Sequence, residues 1–430
     1  MTIPVIAEPV TAPPLRRNFR FQTLWIGMTS SSLGVSVADI AYPLAILAIT
    51  GSPARAGLFA AVQMIGGLLA GLPGGSLADR YSPRTIVIVA EAGRVAVTVV
   101  VAIALITGWL SLPLLLTAAV LLGAGSAIVS PARMLLLRSV VPNEQLNTAL
   151  AQDQVRTNGA QMAGPALGGA LYSIRALAHA VPFLFTAGSF LVSVVTAIAL
   201  TPLPAASPAA SPATDGPAAD GPAAEPEHGP MPDGGMLTGL RTLWAHPLMR
   251  PAILLVLLVN TVGAGLDLVI IVLLRHQGVP SAQIGLVLGI WSAGGIAGIP
   301  LVKILHRLRP GVVLLIPCLA FAPALLLLAL PLGPWWVAAV VFTPFLSIPA
   351  ALVALDVVVI RQAPAEQRGR VLAAGMTLMG LGAPAGMLAC GLLLQYLSAE
   401  TALLVLAATL TAGLCYCATR RALWQAPWPS

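Results

Sequence analysis

Apolar runs about 20 residues long recur twelve times along this 430-residue chain. A helix rises 1.5 Å per residue, so such a run crosses a hydrocarbon core about 30 Å thick. The runs are approximately 23–50, 57–78, 85–108, 112–134, 149–173, 181–201, 251–274, 284–304, 311–330, 335–360, 371–397 and 402–419. Between and around them the chain is poor in charge. Only 9% of residues are charged and 58% are hydrophobic, whereas a soluble domain carries roughly 25% charged residues. The fold predicted is all-α, with twelve transmembrane helices. A soluble enzyme and a disordered chain are both excluded.

The few charges set the topology. With the N-terminus in the cytoplasm, the inner segments hold Arg16, Arg17, Arg20, Arg80, Arg84, Arg133, Arg138, Arg241, Arg250, Lys303, Arg307, Arg309, Arg361, Arg368, Arg370, Arg420 and Arg421. The outer loops hold only Arg55, Arg175 and Arg275. Basic residues stay on the cytoplasmic side of membrane proteins, so both termini are expected in the cytoplasm of a multi-pass cell-membrane protein. The net charge of +7 is then a topology signal, and a nucleic-acid partner is not expected. No cleavable signal peptide is expected either, since the first run is too long. Lys303 is the only lysine, which excludes a Gly-x-x-x-x-Gly-Lys-Ser/Thr phosphate loop. Cys318, Cys390, Cys415 and Cys417 all lie in apolar runs and read as packed free thiols rather than a metal site. No soluble catalytic domain and no nucleophile–base set appears, so no enzymatic activity and no cofactor are expected.

Residues 202–235 break the pattern. They are rich in Pro, Ala, Gly and Ser and contain five acids but no Lys or Arg. This composition reads as a flexible cytoplasmic tether with polyproline character. The organisation predicted is an N-terminal tail (1–22), a six-helix half (23–201), a linker (202–250), a second six-helix half (251–419) and a C-terminal tail (420–430). The halves repeat. Placing Asp39 on Asp267, 228 positions on, puts Ser32 on Asn260, Gly57 on Gly285, Gly66 on Gly294 and Gly67 on Gly295. Two pseudo-symmetric halves with a midplane site between them are a transporter architecture.

Acids within spans are expensive to bury and are functional candidates. Thr29, Ser32, Ser36 and Asp39 follow one another at steps of 3, 4 and 3 and line one helix face. Asp39 lies about 21 Å beyond Trp25 along the helix. Asp267 takes the equivalent place in the seventh span, with Asn260 on the same face. Carboxylates facing a low-dielectric cavity suit proton exchange, and a cationic substrate would serve them equally. Tyr42, Gln63, Met64, Trp291, Met376 and Met379 are candidates for an adaptable cavity lining. Glu91 and Arg94, three apart, form a structural ion pair in this reading.

The chain resembles the major facilitator superfamily over nearly its whole length. The segment Gly75-Ser76-Leu77-Ala78-Asp79-Arg80-Tyr81-Ser82-Pro83-Arg84 is similar to the family's Gly-x-Leu-Ala-Asp-Arg-x-Gly-Arg-Arg/Lys loop, with Ser82 and Pro83 replacing a glycine and a basic residue. Ser130-Pro131-Ala132-Arg133, Val141-Pro142-Asn143-Glu144-Gln145-Leu146 and Arg368-Gly369-Arg370-Val371 resemble segments of the twelve-span exporters that include macrolide efflux pumps and the enterobactin exporter. Gly164-Pro165-Ala166-Leu167-Gly168-Gly169 resembles the fifth-span motif of antiporters and marks a helix-packing face. No Arg lies between Leu112 and Pro131, where other drug/proton antiporters carry one. The resemblance supports a cytoplasmic gate of Asp79, Arg80, Arg84, Arg133 and Arg138, in which a carboxylate pairs with arginines or a helix N-terminus. By its position near the inner end of the tenth run, Asp356 with Arg361 is a candidate to act similarly in the second half. The resemblance also implies a proton-coupled exporter of a small amphipathic molecule, working as a monomer on protons, substrate and lipid bilayer. The alternatives are an importer or facilitator of the same fold, or a non-transporting membrane sensor.

Overall fold

The computed structural model describes residues 15–174, 176–200, 236–246, 249–305, 307–362 and 368–420. Every regular element among them is helical. The first half comprises α1 (Phe19–Thr50), α2 (Pro53–Arg80), α3 (Pro83–Ile106), α4 (Leu112–Val140), α5 (Leu146–Ser173) and α6 (Val181–Ala199). A short helix, α7 (Met236–Ala245), precedes the second half. That half comprises α8 (Met249–His276), α9 (Ser281–Ala297), α10 (Leu301–Leu305), α11 (Pro310–Leu328), α12 (Pro334–Phe345), α13 (Ile348–Gln362), α14 (Arg368–Tyr396) and α15 (Ala399–Ala418).

Local chemistry sets the helix starts. Asn18, Ser52, Ser82 and Ser398 each accept a hydrogen bond from a first-turn amide, at 3.1, 3.4, 3.2 and 3.2 Å. These caps satisfy donors that the helix itself leaves free. Pro53, Pro83, Pro310 and Pro334 stand just inside their helices, where a missing N–H costs nothing. Gly51 ends α1 at φ +63°, a conformation glycine adopts without strain, and its amide returns to the Leu47 carbonyl.

Among the described residues, ten helical stretches are long and apolar enough to cross a membrane, the α12–α13 pair counting as one. The remaining two of the twelve predicted runs differ for identifiable reasons. The eighth run breaks at Gly298–Pro300 into α9 and α10, leaving 17 residues in the longer piece. The fifth run forms a helix of 28 residues, α5, but Asn147, Gln152, Asp153, Gln154, Arg156 and Asn158 dilute its apolar character. The tenth run bends between α12 and α13, where the Ser347 hydroxyl donates to the Pro344 carbonyl.

Packing repeats between the halves. In the first, α1 packs on α5 and α6, α2 on α4, and α3 on α4 and α6. In the second, α8 packs on α14 and α15, α9 on α12, and α11 on α13 and α15. The halves meet where α2 lies along α14 and α5 lies along α9. Residues 201–235, the core of the tether expected from composition, lie outside the described residues. Its C-terminal end is ordered as α7, which packs on α14 and buries Leu243. All four cysteines are free thiols; Cys318, Cys390 and Cys417 are packed, while Cys415 is exposed on α15 rather than packed.

Candidate functional site

The contacts between halves seal one end of the bundle, the end holding the arginine-poor loops. Gly57 on α2 and Gly391 on α14 approach so closely that a Cβ on Gly391 would stand 2.9 Å from the Pro53 carbonyl and 3.0 Å from the Gly57 Cα. The pseudo-equivalent pair is Gly285 on α9 and Gly169 on α5. A Cβ on Gly169 would collide with the Ser281 carbonyl and stand 3.0 Å from the Gly285 Cα. Pro53 and Ser281, like Gly57 and Gly285, are related by the sequence offset of the two halves. Two hydrogen bonds cross at the same level: Ser52 Oγ to Gln395 Oε1 at 2.6 Å, and the Ala282 amide to Ser173 Oγ at 3.1 Å. Small residues allow this because neighbouring backbones touch directly. Gly164 and Gly168 serve the other side of α5: a Cβ on Gly168 would lie 2.9 Å from the Val37 carbonyl of α1, and one on Gly164 would overlap Ser36. Pro165 lies between them and reaches the cavity below.

Gly285→Val is therefore expected to open the seal. The added side chain meets the Pro165 backbone, which cannot give way as a flexible side chain would. With Met64→Cys as reporter, an impermeant maleimide added at the arginine-poor face labels the Gly285→Val protein and leaves its glycine parent unlabelled. Equal labelling of both would refute the seal.

Beneath the seal lies a cavity of about 600 Å³ between the halves, within the range of drug-sized ligand sites. Asp39 on α1 and Asp267 on α8 both line it. Ser36, Tyr42, Phe59, Gln63, Met64, Gln161, Ser292 and Met387 contribute to the same wall. The lining is thus mixed: polar at a few points and apolar or aromatic elsewhere. Tyr42 is buried and held by Phe59, stacked at 4.5 Å, and by the edge of Phe183 at 4.9 Å. The Asp39 and Asp267 carboxyls take no hydrogen bond or ion pair from a described residue. Two acids facing one cavity repel when both are ionised, so a proton or a cationic group lowers the energy there.

The cavity continues toward the arginine-rich end. Ser36, Asp39, Ser126 and Gln161 are shared with a second chamber of about 350 Å³, walled by Arg94, Arg133, Asp153 and Arg156. Glu91, fully buried on α3, organises this wall. It pairs with Arg94 at 3.2 Å, pairs with Arg133 and accepts from Ser31 Oγ at 2.8 Å. Arg133 also donates to Ser193 at 3.2 Å, and Arg94 lies 3.9 Å over the Phe190 ring. Arg156 holds Asp153 at 2.7 Å, Ser32 Oγ at 2.6 Å and the Met28 carbonyl at 2.7 Å.

Several expected placements change. Arg133, at the inner end of the fourth run, was expected at a gate beside Asp79. The structure turns its side chain into the bundle, where it pairs with Glu91, and α4 continues to Val140. Arg84 caps α6 through the Ala197 and Ile198 carbonyls, at 2.9 and 2.5 Å. Arg80 and Arg138 are exposed. The side chains of Asp79, Asp356 and Arg361 lie outside the described residues. Trp291 is buried against Phe345, ring to ring at 4.6 Å, and does not line the cavity. Asn260 Nδ2 is turned to the Met379 carbonyl at 3.1 Å. Met376 is largely exposed and is also absent from the cavity wall. The sequence reading missed Asp153 as a site residue, although its spacing to Arg156 repeats that of Glu91 to Arg94.

Comparison with known proteins agrees with this architecture. The family model of the Major Facilitator Superfamily matches residues 24–387. An uncharacterized MFS-type transporter, YfiS, of Bacillus subtilis (strain 168) is 31% identical over 184 residues, which is 42% of this chain and 42% of that relative. Among solved structures, the nucleoside transporter NupG superposes with a TM-score of 0.73 at 12% identity, covering 94% of this chain and 98% of that one. A bacterial homologue of the iron transporter ferroportin in an inward-facing state superposes with a TM-score of 0.69 at 15% identity, covering 95% and 100%. At these identities the superpositions speak to the fold alone, and the family match carries the assignment: the chain is a multi-pass membrane protein of the Major Facilitator Superfamily of transporters.

Proposed function

We propose that this transporter is a proton-coupled exporter of a small amphipathic organic molecule, of the drug, antibiotic or siderophore kind. The observation that carries the reading is one cavity between two pseudo-symmetric halves, sealed at one end and bearing two unpaired acids on equivalent helices. The positive-inside rule puts the arginine-rich end, and both termini, in the cytoplasm. Substrate then enters from the cytoplasm past the arginine wall and reaches Asp39 and Asp267 through the shared opening. Its binding displaces protons from those acids. The halves rock about α2–α14 and α5–α9, the glycine seal parts, and substrate leaves while external protons take its place. The mixed apolar, aromatic and methionine lining suits an amphipathic cargo. The bilayer is the working environment, and one chain contains both halves of the cycle, so a monomer suffices.

The test is direction and driving force. A panel of labelled amphipathic compounds is offered to inside-out and right-side-out vesicles carrying the protein. Export predicts accumulation in inside-out vesicles when their interior is acidified, and its collapse on adding a protonophore. Accumulation confined to right-side-out vesicles would make the protein an importer, and accumulation indifferent to the protonophore would remove protons from the cycle.

A further inference from the structure

The second chamber has a charge imbalance that its own ion pairs do not settle. Arg94, Arg133 and Arg156 line it, from α3, α4 and α5 respectively. Among the described residues only two carboxylates, Glu91 and Asp153, lie within ion-pair distance of these arginines. The ion pairs thus set three positive charges against two negative ones, and Asp39, the third acid, takes part in none of them. The donors are not exhausted either. The bonds of Arg94 run from Nη1 and those of Arg133 from Nη2. Nε of Arg94 and Nε of Arg133 are buried without a hydrogen-bond partner, and no bond runs from Nη2 of Arg94 or Nη1 of Arg133 to a described group, although the Arg94 side chain is only 4% exposed. Burying a guanidinium without full compensation is costly, so such a group needs a further acceptor. The remaining acid on this chamber is Asp39, which also faces the larger one. The chamber is large enough for a compact charged group and continuous with the drug-sized cavity.

We propose that this arginine wall is an anion subsite of the transport cavity, so that the carried molecule bears a carboxylate, phosphate or sulfonate group. The acidic group docks on the free Arg94 and Arg133 donors, and the apolar body extends past Asp39 toward Phe59 and Met64. Guanidinium donors suit this because their planar N–H pairs match the oxygens of such anions. Once the anion is seated, its charge and that of Asp39 together outweigh the one excess positive charge. Asp39 must then carry a proton or meet a cationic group on the same molecule. A zwitterion supplies that cation itself. This inference rests on the reading of the large cavity as the transport site.

The test uses the full chain in phosphatidylcholine nanodiscs and three matched probes: octanoate, ω-aminooctanoate and octylamine. Calorimetry is expected to show the two carboxylates binding about tenfold tighter than octylamine, the scale of one charge-assisted bond. Arg133→Gln is expected to erase the preference, and Arg133→Lys to retain part of it. Octylamine binding as tightly as the carboxylates overturns the subsite, and this wild-type comparison decides even where Arg133→Gln fails to fold. A folded Arg133→Gln variant with the preference intact also overturns it. Loss of octanoate binding in phosphatidylglycerol nanodiscs would give the subsite to a lipid headgroup and overturn the substrate assignment. Export is scored separately in vesicles. Absence of the anion preference in the wild-type protein with export intact sinks only the subsite, and an intact preference without proton-driven export sinks only the export reading.

Discussion

Asp39→Asn is expected to abolish proton-driven accumulation while leaving the protein in the membrane. Asn keeps the size and one polar oxygen of the side chain but cannot gain and lose a proton near neutral pH. Asp39 sits where the two chambers join, and it accepts nothing from a described residue. Removing its charge therefore leaves no broken ion pair behind, and folding should be little affected. A pH difference of about two units is worth about 2.7 kcal/mol per proton, or ~100-fold accumulation at one proton per substrate. In acidified inside-out vesicles the variant should fall to about onefold, the value without coupling. Counterflow of substrate down its own gradient should persist, since the cavity keeps its shape. Asp267→Asn should give a smaller loss if Asp39 dominates, and an equal one if the acids act as a pair. A normally expressed Asp39→Asn protein that still exports uphill would remove the proton role from this residue.

Glu91→Gln is expected to cost more stability than any other single neutralisation in the first half. Glu91 is fully buried and ties together Arg94, Arg133 and Ser31. Glutamine fills the same space but leaves two guanidinium groups in the bundle without their carboxylate. Removing one partner of a buried pair costs about 3–5 kcal/mol, because the stranded charge keeps its full desolvation penalty. The unfolding midpoint in nanodiscs should drop by about 10 °C. Glu144→Gln, at an exposed position, is the control and should change stability by less than about 0.5 kcal/mol. If Glu91→Gln melts with the control, the arginines are hydrated and the buried-network account is wrong.

Much of the fold was legible because bilayer crossing imposes a length and a composition that a sequence displays openly. The predicted runs and observed helices agree within a few residues at most ends. The run expected to begin at Thr23 starts at Phe19 because Asn18 caps it. The run expected to end at Met134 extends to Val140, since nothing in Leu135–Ser139 stops a helix. Arg133 already lay within the predicted run, and what the sequence left open was its pairing with Glu91. Asp39 and Asp267 were readable because an unexplained acid in an apolar run is rare. Their shared cavity follows from the way α1 and α8 face each other across the halves. Asp153 went unremarked because α5 is polar throughout its first half and one more acid there does not stand out.

By itself, then, the sequence determined the spans, the two-fold repeat, the topology signal in the arginines and the two acids worth testing. Each depends on local composition or on periodicity, which a linear chain carries intact. Only the tertiary structure decided which charges meet. Glu91 could have faced any arginine in its half, and the packing of α3 against α4 joined it to Arg133 as well as to its helical neighbour Arg94. Only packing, too, made Gly57 with Gly391 and Gly285 with Gly169 a seal, since a glycine gains that meaning from the backbone pressed against it. Contacts between residues far apart in sequence depend on helix rotation and crossing, which hydropathy leaves free, and the candidate site is built from such contacts.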